Sequence, residues 1–212
     1  MSSIFADSFE SGDVSAWTGS LNTPVVSAGA RLVGSYGLEV NANLDIVYET
    51  FTAVDRFRIR MWIDPNSLSM AASDGVVAVY VLDGATPVGQ VALYYTTVYT
   101  LYASVFDDAS AWHNTALATL TNDAHWFEVD FDMANATGSL SLWVDGALVE
   151  TVGSLDLGTR RPDTVWVGWC ATSGTPAGTL YVDHYASNDD GSTIGPGTAP
   201  RQSAYYRRRR IE

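Results

Sequence analysis

Three carboxylates spaced two residues apart, Glu128, Asp130 and Asp132, are the best placed for bond-breaking chemistry in this 212-residue chain. Alternation along a strand puts them on one face, opposite Phe127, Val129, Phe131 and Met133. Carboxyls four residues apart on such a face point the same way. A pair separated by about 5 to 5.5 Å can act as nucleophile and acid/base in retaining glycoside hydrolysis. A second run answers the first in charge. Arg56, Arg58, Arg60 and Trp62 alternate with Phe57, Ile59, Met61 and Ile63, which sets three guanidinium groups on one exposed face. Cross-strand pairing of these arginines with the three acids is the simpler expectation, each exposed pair contributing about 0.2 to 1 kcal/mol. A strip that binds sulfate or carboxylate is the alternative.

Aromatic residues offer a different chemistry. Tyr94, Tyr95, Tyr99, Tyr102 and Trp112 cluster in sequence, and flat rings stack on pyranose faces, so Tyr99, Tyr102 and Trp112 are candidates to line a sugar-binding sheet. The same ring types also serve core packing and protein contacts; Trp17, Trp62, Trp166 and Trp169 are assigned to packing. The terminal Tyr205, Tyr206, Arg207, Arg208, Arg209 and Arg210 suit an acidic protein partner, because arginine pairs bidentately with carboxylate and tyrosine gives contact area at low entropic cost. Nucleic acid is a second option for that tail alone, and a solubilising end is a third. His113, His125 and His184 lack metal-like spacing, which argues against zinc. No phosphate loop, dinucleotide fingerprint or nucleophile elbow occurs.

These residues need strands to position them, and strands are what the sequence encodes. Period-two alternation recurs over 37–41, 46–52, 56–63, 76–82, 88–95, 98–106, 126–133, 140–144, 148–152, 164–172 and 179–187, with almost no helical periodicity. Turn residues separate these runs, among them Asp64-Pro65-Asn66, Asp83-Gly84 and Asp145-Gly146, the last suited to a two-residue hairpin. Eleven or more short strands so punctuated predict an all-β, two-sheet antiparallel jelly-roll sandwich over residues 1–188. Residues 189–200, rich in Gly, Ser, Thr and Pro, read as a linker, and residues 201–212 as a basic aromatic anchoring tail.

Charge divides the chain in the same place. There is no lysine; residues 1–200 carry six Arg against twenty-three acids, whereas 201–212 carry five Arg against one acid. An acidic body repels nucleic acid, and a cationic tail seeks an acidic surface. No window is long and apolar enough to span a bilayer, and the N-terminus lacks the pattern of a signal peptide. Cys170, alone and flanked by apolar residues, reads as a small buried hydrophobe.

The run from His125 to Asp132, followed by Ser139 to Val149 with its Leu142-Trp143-Val144-Asp145-Gly146-Ala147-Leu148-Val149 hairpin, resembles the concanavalin A-like lectin/glucanase superfamily and its laminin-G-like domains. Asp7-Ser8-Phe9-Glu10-Ser11-Gly12 resembles that superfamily's opening, and Leu180 to Ala186 its closing strand, so the likeness spans about residues 4–188. The resemblance implies a concanavalin A-like sandwich. It also implies a structural Ca²⁺ held by Asp7, Glu10 and Asp183, with Asp13 nearby; calcium takes six to eight oxygens, which carboxylates and turn carbonyls supply. The alternative is that Glu10 caps a turn and Asp183 accepts backbone hydrogen bonds. Glu128-x-Asp130-x-Asp132 nearly matches the Glu-x-Asp-x-Glu catalytic strand of laminarinase-type hydrolases of the superfamily. It departs in its third acid and in its place directly before the hairpin, and so argues against catalysis. The closing Val182-Asp183 and Asn188-Asp189 followed by Gly195-Pro196 are similar to segments of phage structural proteins with this fold.

These expectations combine into a non-enzymatic virion surface protein, of the capsid-decoration or minor-tail kind. It would be made in the host cytoplasm, fastened to the protein subunits of a capsid or tail by its arginine-rich tail, and capable of binding surface glycans. A carbohydrate-binding lectin module of a secreted, extracellular protein is the alternative, with a glycoside hydrolase behind it.

Overall fold

A computed structural model, which describes residues 2–133 and 137–197, folds as an all-β sandwich with no helix among those residues. The first sheet contains β1 (Ser3–Asp7), β3 (Val25–Ser27), β4 (Gly37–Val40), β6 (Arg56–Asp64), β12 (His125–Asp132), β13 (Gly138–Val144), β14 (Ala147–Leu155) and β16 (Leu180–Asn188). The second contains β2 (Gly19–Leu21), β5 (Asp45–Thr50), β7 (Gly75–Asp83), β8 (Thr86–Tyr95), β9 (Tyr99–Phe106), β10 (Trp112–Asn114), β11 (Ala118–Leu120) and β15 (Thr164–Ser173). All named pairs are antiparallel. The first sheet runs β14-β13-β12-β6-β16-β4-β3 and the second β10-β9-β8-β7-β15-β5-β2, the crossing order of a jelly roll. All eleven strands expected from alternation occur. Those the sequence did not announce are β1, β2, β3, β10 and β11, four of them only three residues long.

Each long strand turns every second residue into one shared core. Phe57, Ile59, Met61 and Ile63 meet Phe127, Val129 and Phe131 from the first sheet, facing Val79, Val81, Val91, Leu93, Leu101, Ala103, Val105, Val165 and Val167 from the second. Gly89 lets the sheets approach closely, since a Cβ there would lie 2.6 Å from the Phe131 ring. Asp145 and Gly146 both have positive φ, 50° and 82°, which two-residue hairpin turns require, and they join β13 to β14 as the sequence predicts. One end of the core is closed by Trp17, packed among Phe5, Phe9 and Tyr185 with ring centroids 4.7, 6.1 and 5.2 Å away. The Trp17 Nε1–H donates to Asp7 Oδ2 at 2.7 Å. First and last strands meet beside this cluster, with Ser3 opposite Asn188 and Asp7 opposite Tyr185.

The arginine and carboxylate strands are neighbours, as the charge pattern anticipates, but the expectation of an exposed face is corrected. Arg58, Arg60, Glu128 and Asp130 are all at most 5% exposed. Backbone register sets Arg60 opposite Glu128 and Arg58 opposite Asp130, yet the ion pairs run diagonally. Arg58 reaches Glu128 at 2.5 Å, and Arg56 reaches Asp130 at 2.5 Å. The Arg58 guanidinium also lies 4.3 Å from the Trp143 ring. What buries the face is the segment read as a linker. Residues 189–197 lie across it: the amides of Ile194 and Gly195 donate to Glu128 at 3.3 and 2.6 Å, Arg58 Nη1 donates to the Gly191 carbonyl, and Trp62 Nε1 donates to the Pro196 carbonyl. The tail residues Tyr205, Tyr206 and Arg207 to Arg210 lie outside the described residues.

Candidate functional site

The outer face of the second sheet carries a row of side chains in register across seven strands. Gly19 faces Tyr48, Tyr48 faces Trp166, Trp166 faces Tyr80, Tyr80 faces Gln90, Gln90 faces Ser104, and Ser104 faces Asn114. Local sequence dictates the orientation. Val165 and Val167 flank Trp166, Val79 and Val81 flank Tyr80, and those valines are core, so the aromatic between them must face outward. Tyr48, Tyr80 and Trp166 are half-buried against one another, with Tyr80 and Trp166 in an edge-on pair at 6.4 Å. Tyr102 lies on the same face, one position along β9 from Ser104, and Tyr94 stands near it. Burial first pushes both the Tyr80 and Tyr102 hydroxyls above their ordinary range, with Cys170 and then Tyr102 adding to it at Tyr80 and Tyr94 at Tyr102, so both stay neutral donors.

Adjacent strands lie about 4.8 Å apart, a step comparable to one sugar unit of an extended polysaccharide. A row of rings at that step, ending in the amide of the half-buried Gln90, offers stacking surfaces followed by a polar contact. The sequence pointed to Tyr94, Tyr102 and Trp112 on this face, but not to Tyr48 or Tyr80, and Trp166 reads from it as packing. The available signal was a single aromatic between two core valines.

The sequence-named residues distribute as follows. Tyr102 lies beside the row on the same face, and Trp112 shares that face at the sheet edge, 41% exposed and 5.0 Å from the Phe106 ring. Tyr99, an odd number of residues from Tyr102 on the same strand, points the other way; its hydroxyl donates to the Leu68 carbonyl and its ring meets Tyr95 edge-on at 5.2 Å. Glu128 and Asp130 are engaged by arginines and backbone amides, so no open pair of carboxylates is presented.

Asp7, Glu10 and Asp183 each hold a different piece of backbone. Asp7 accepts from the Phe9 amide at 2.8 Å and from Trp17, Glu10 Oε1 accepts from the amides of Ser35 and Tyr36 at 2.7 and 3.0 Å, and Asp183 Oδ2 accepts from those of Leu32 and Val33 at 2.8 and 2.7 Å. Among the described residues no group of three or more carboxylate, histidine or cysteine side chains is placed to hold a metal ion. Partial burial pushes the Glu10 carboxyl up, but the Tyr36 and Ser35 amides outweigh it and hold it below its ordinary value. Asp183, fully buried, is pushed up to about 7 by desolvation against the opposing pull of its amide donors.

A carboxyl whose folded pKa is raised binds its proton more tightly in the folded chain than in the unfolded one. Its protonation therefore adds stability as pH falls from about 7 toward 3.8, and its ionised form weighs against folding above 7. Asn mimics the protonated acid. The melting temperature of Asp183→Asn, measured against that of the parent over this range, is expected to compare most favourably above pH 7 and to lose the advantage as pH falls; a difference independent of pH would refute the assignment.

No protein-family model matches the sequence, and no curated protein matches it. Solved structures match the fold. "Cellulose induced protein, Cip1" aligns with TM-score 0.63 and 19% identity over 87% of this chain and 97% of its own. The globular domain of T. cruzi calreticulin aligns with TM-score 0.60 and 11% identity over 89% and 88%. A botulinum neurotoxin type C structure, described for cell entry dependent on interaction with two ganglioside molecules, aligns with TM-score 0.60 and 11% identity over 88% of this chain and 47% of its own. The chain thus spans nearly all of the first and about half of the toxin structure. The likeness establishes the fold.

Proposed function

We propose that this chain is a non-enzymatic glycan-binding sandwich whose binding surface is the outer face of the second sheet around Tyr48, Trp166, Tyr80 and Tyr102. The in-register row of half-buried aromatics carries the reading. The ganglioside dependence stated for the toxin neighbour supports it by analogy of fold. The sealed Glu128 supports the absence of hydrolysis, since both its oxygens are engaged. We further propose that the module is displayed on a larger protein assembly, a virion surface of the capsid-decoration or minor-tail kind, with the +4 tail seated on an acidic subunit surface. The opposed charges of body and tail motivate this.

One experiment tests both parts. The full chain, its Trp166→Ala variant and a form ending at residue 197 are compared for retention on immobilised polysaccharides and for incorporation into particles. Truncating a central aromatic anchor costs about 2 kcal/mol or more, so Trp166→Ala is expected to weaken polysaccharide binding by about thirtyfold with incorporation unchanged. The shortened form is expected to show the reverse. Retention indifferent to Trp166 removes the glycan surface, and incorporation indifferent to the tail removes the anchor.

A further inference from the structure

A pocket of about 460 Å³ opens away from the aromatic row, lined by Ser8, Glu10, Val33, Gly34, His184 and Gly197. Its size falls in the range of about 300 to 1,000 Å³ typical of small-molecule sites. Two glycines with positive φ form its walls. A Cβ at Gly34 would lie 2.4 Å from Glu10 Oε1, and one at Gly197 would lie 2.6 Å from His184 Cε1, so a side chain at either would press on a polar group of the site.

His184 is the unusual member. It sits at φ 50°, in the left-handed region that a non-glycine residue occupies at a cost, at a point where the register of β16 against β6 shifts. Such strain persists where the surroundings hold it, and it concentrates at ligand sites. The shift turns the imidazole to the pocket, while the carbonyl of the same residue accepts from Arg60. The ring's Nδ1 is buried and has no hydrogen-bond partner, and the guanidinium of Arg60 is close enough to act on the imidazole electrostatically. A cation beside the ring favours a lone pair on Nδ1 and the proton on Nε2. Glu10 adds an acceptor on the same wall. Its Oε1 is held by the Ser35 and Tyr36 amides and the Ser35 side chain also reaches the carboxyl, which keeps lone pairs to offer a ligand.

We propose that this pocket binds the terminal sugar of a glycan chain, or an equally compact polyol, through two neighbouring hydroxyls. One hydroxyl accepts from His184 Nε2–H and the next donates to the Glu10 carboxylate, while the apolar face of the ring lies against Val33, Gly34 and Gly197. A donor beside an acceptor suits a pair of hydroxyls, each able to play either part. A free cation is disfavoured by Arg60 behind the histidine, and a free anion by Glu10. The site is separate from the aromatic row and reads a chain end rather than a chain length, so it stands or falls independently of that surface.

The test uses the intact chain and the methyl glycosides of glucose, galactose, mannose and fucose, followed by saturation-transfer NMR and by the His184 Cε1–H resonance. At least one glycoside is expected to shift that resonance. Affinity is expected to fall by about tenfold or more in Glu10→Gln and in His184→Asn, a substitution chosen because asparagine tolerates the left-handed backbone, and to hold in Trp166→Ala. No shift with any of the four, or undiminished binding by folded Glu10→Gln, overturns the proposal. Monosaccharide binding that survives while polysaccharide binding is absent removes the aromatic row and leaves this pocket in place.

Discussion

Glu128→Ala is expected to lower the unfolding free energy by about 3 to 5 kcal/mol, the usual cost of stranding one member of a buried ion pair. Glu128 is 1% exposed, accepts from Arg58 Nε at 2.6 Å and also receives the Ile194 and Gly195 amides. Its removal leaves the Arg58 guanidinium, 5% exposed, without its main partner, and frees the middle of the 189–197 segment. Urea unfolding gives the energy, and hydrogen exchange at Ile194 and Gly195 reports release of the segment. Adding Arg58→Met should recover much of the loss, because exchanging a buried pair for apolar volume is often neutral. A loss below about 1 kcal/mol would show instead that the pair is solvated.

Trp17→Ala is expected to cost a similar amount, about 3 to 5 kcal/mol. Trp17 fills the space among Phe5, Phe9 and Tyr185, and its indole N–H satisfies Asp7, whose other oxygen fixes the Phe9 amide. The alanine leaves a cavity at the end of the core and a part-buried carboxylate oxygen without its donor. Trp17→Phe keeps most of the packing and should cost much less. Equal losses for the two variants, measured by thermal and urea unfolding, would mean that the hydrogen bond rather than the packing dominates. Each of these losses is a large share of the stability of a domain of ordinary size.

The long strands were legible because burial on one face imposes a two-residue period that no other element mimics, as in Arg56 to Ile63 against His125 to Asp132. Three-residue strands such as β2 and β10 offer too few positions to show a period. The fate of the 189–197 segment was not legible either. It is held by its own amides and carbonyls, so its Gly, Ser and Pro composition, which reads as a tether, says nothing of the carboxylate waiting for it. The site was partly legible. Tyr102 was recognisable, but the row depends on β15 lying between β5 and β7, and strand order is invisible to local pattern. Asp183 and Glu10 were named because the resemblance implied a bound ion, and both accept backbone amides, the contacts given as the alternative. The pocket at His184 rests on a register shift, and nothing in Asp183-His184-Tyr185 announces one.

The pairing of β1 with β16 sets both ends of the sandwich side by side, Ser3 opposite Asn188. A pull applied between those ends would peel the two strands apart one hydrogen bond after another, rather than load all the bonds together. Once the 189–197 segment has come away from the arginine face, the sandwich would yield to tension along its own chain at small force. Such a pairing is ill suited to serve as a link in a cable, and the aromatic sheet lies clear of the two strands that would be loaded.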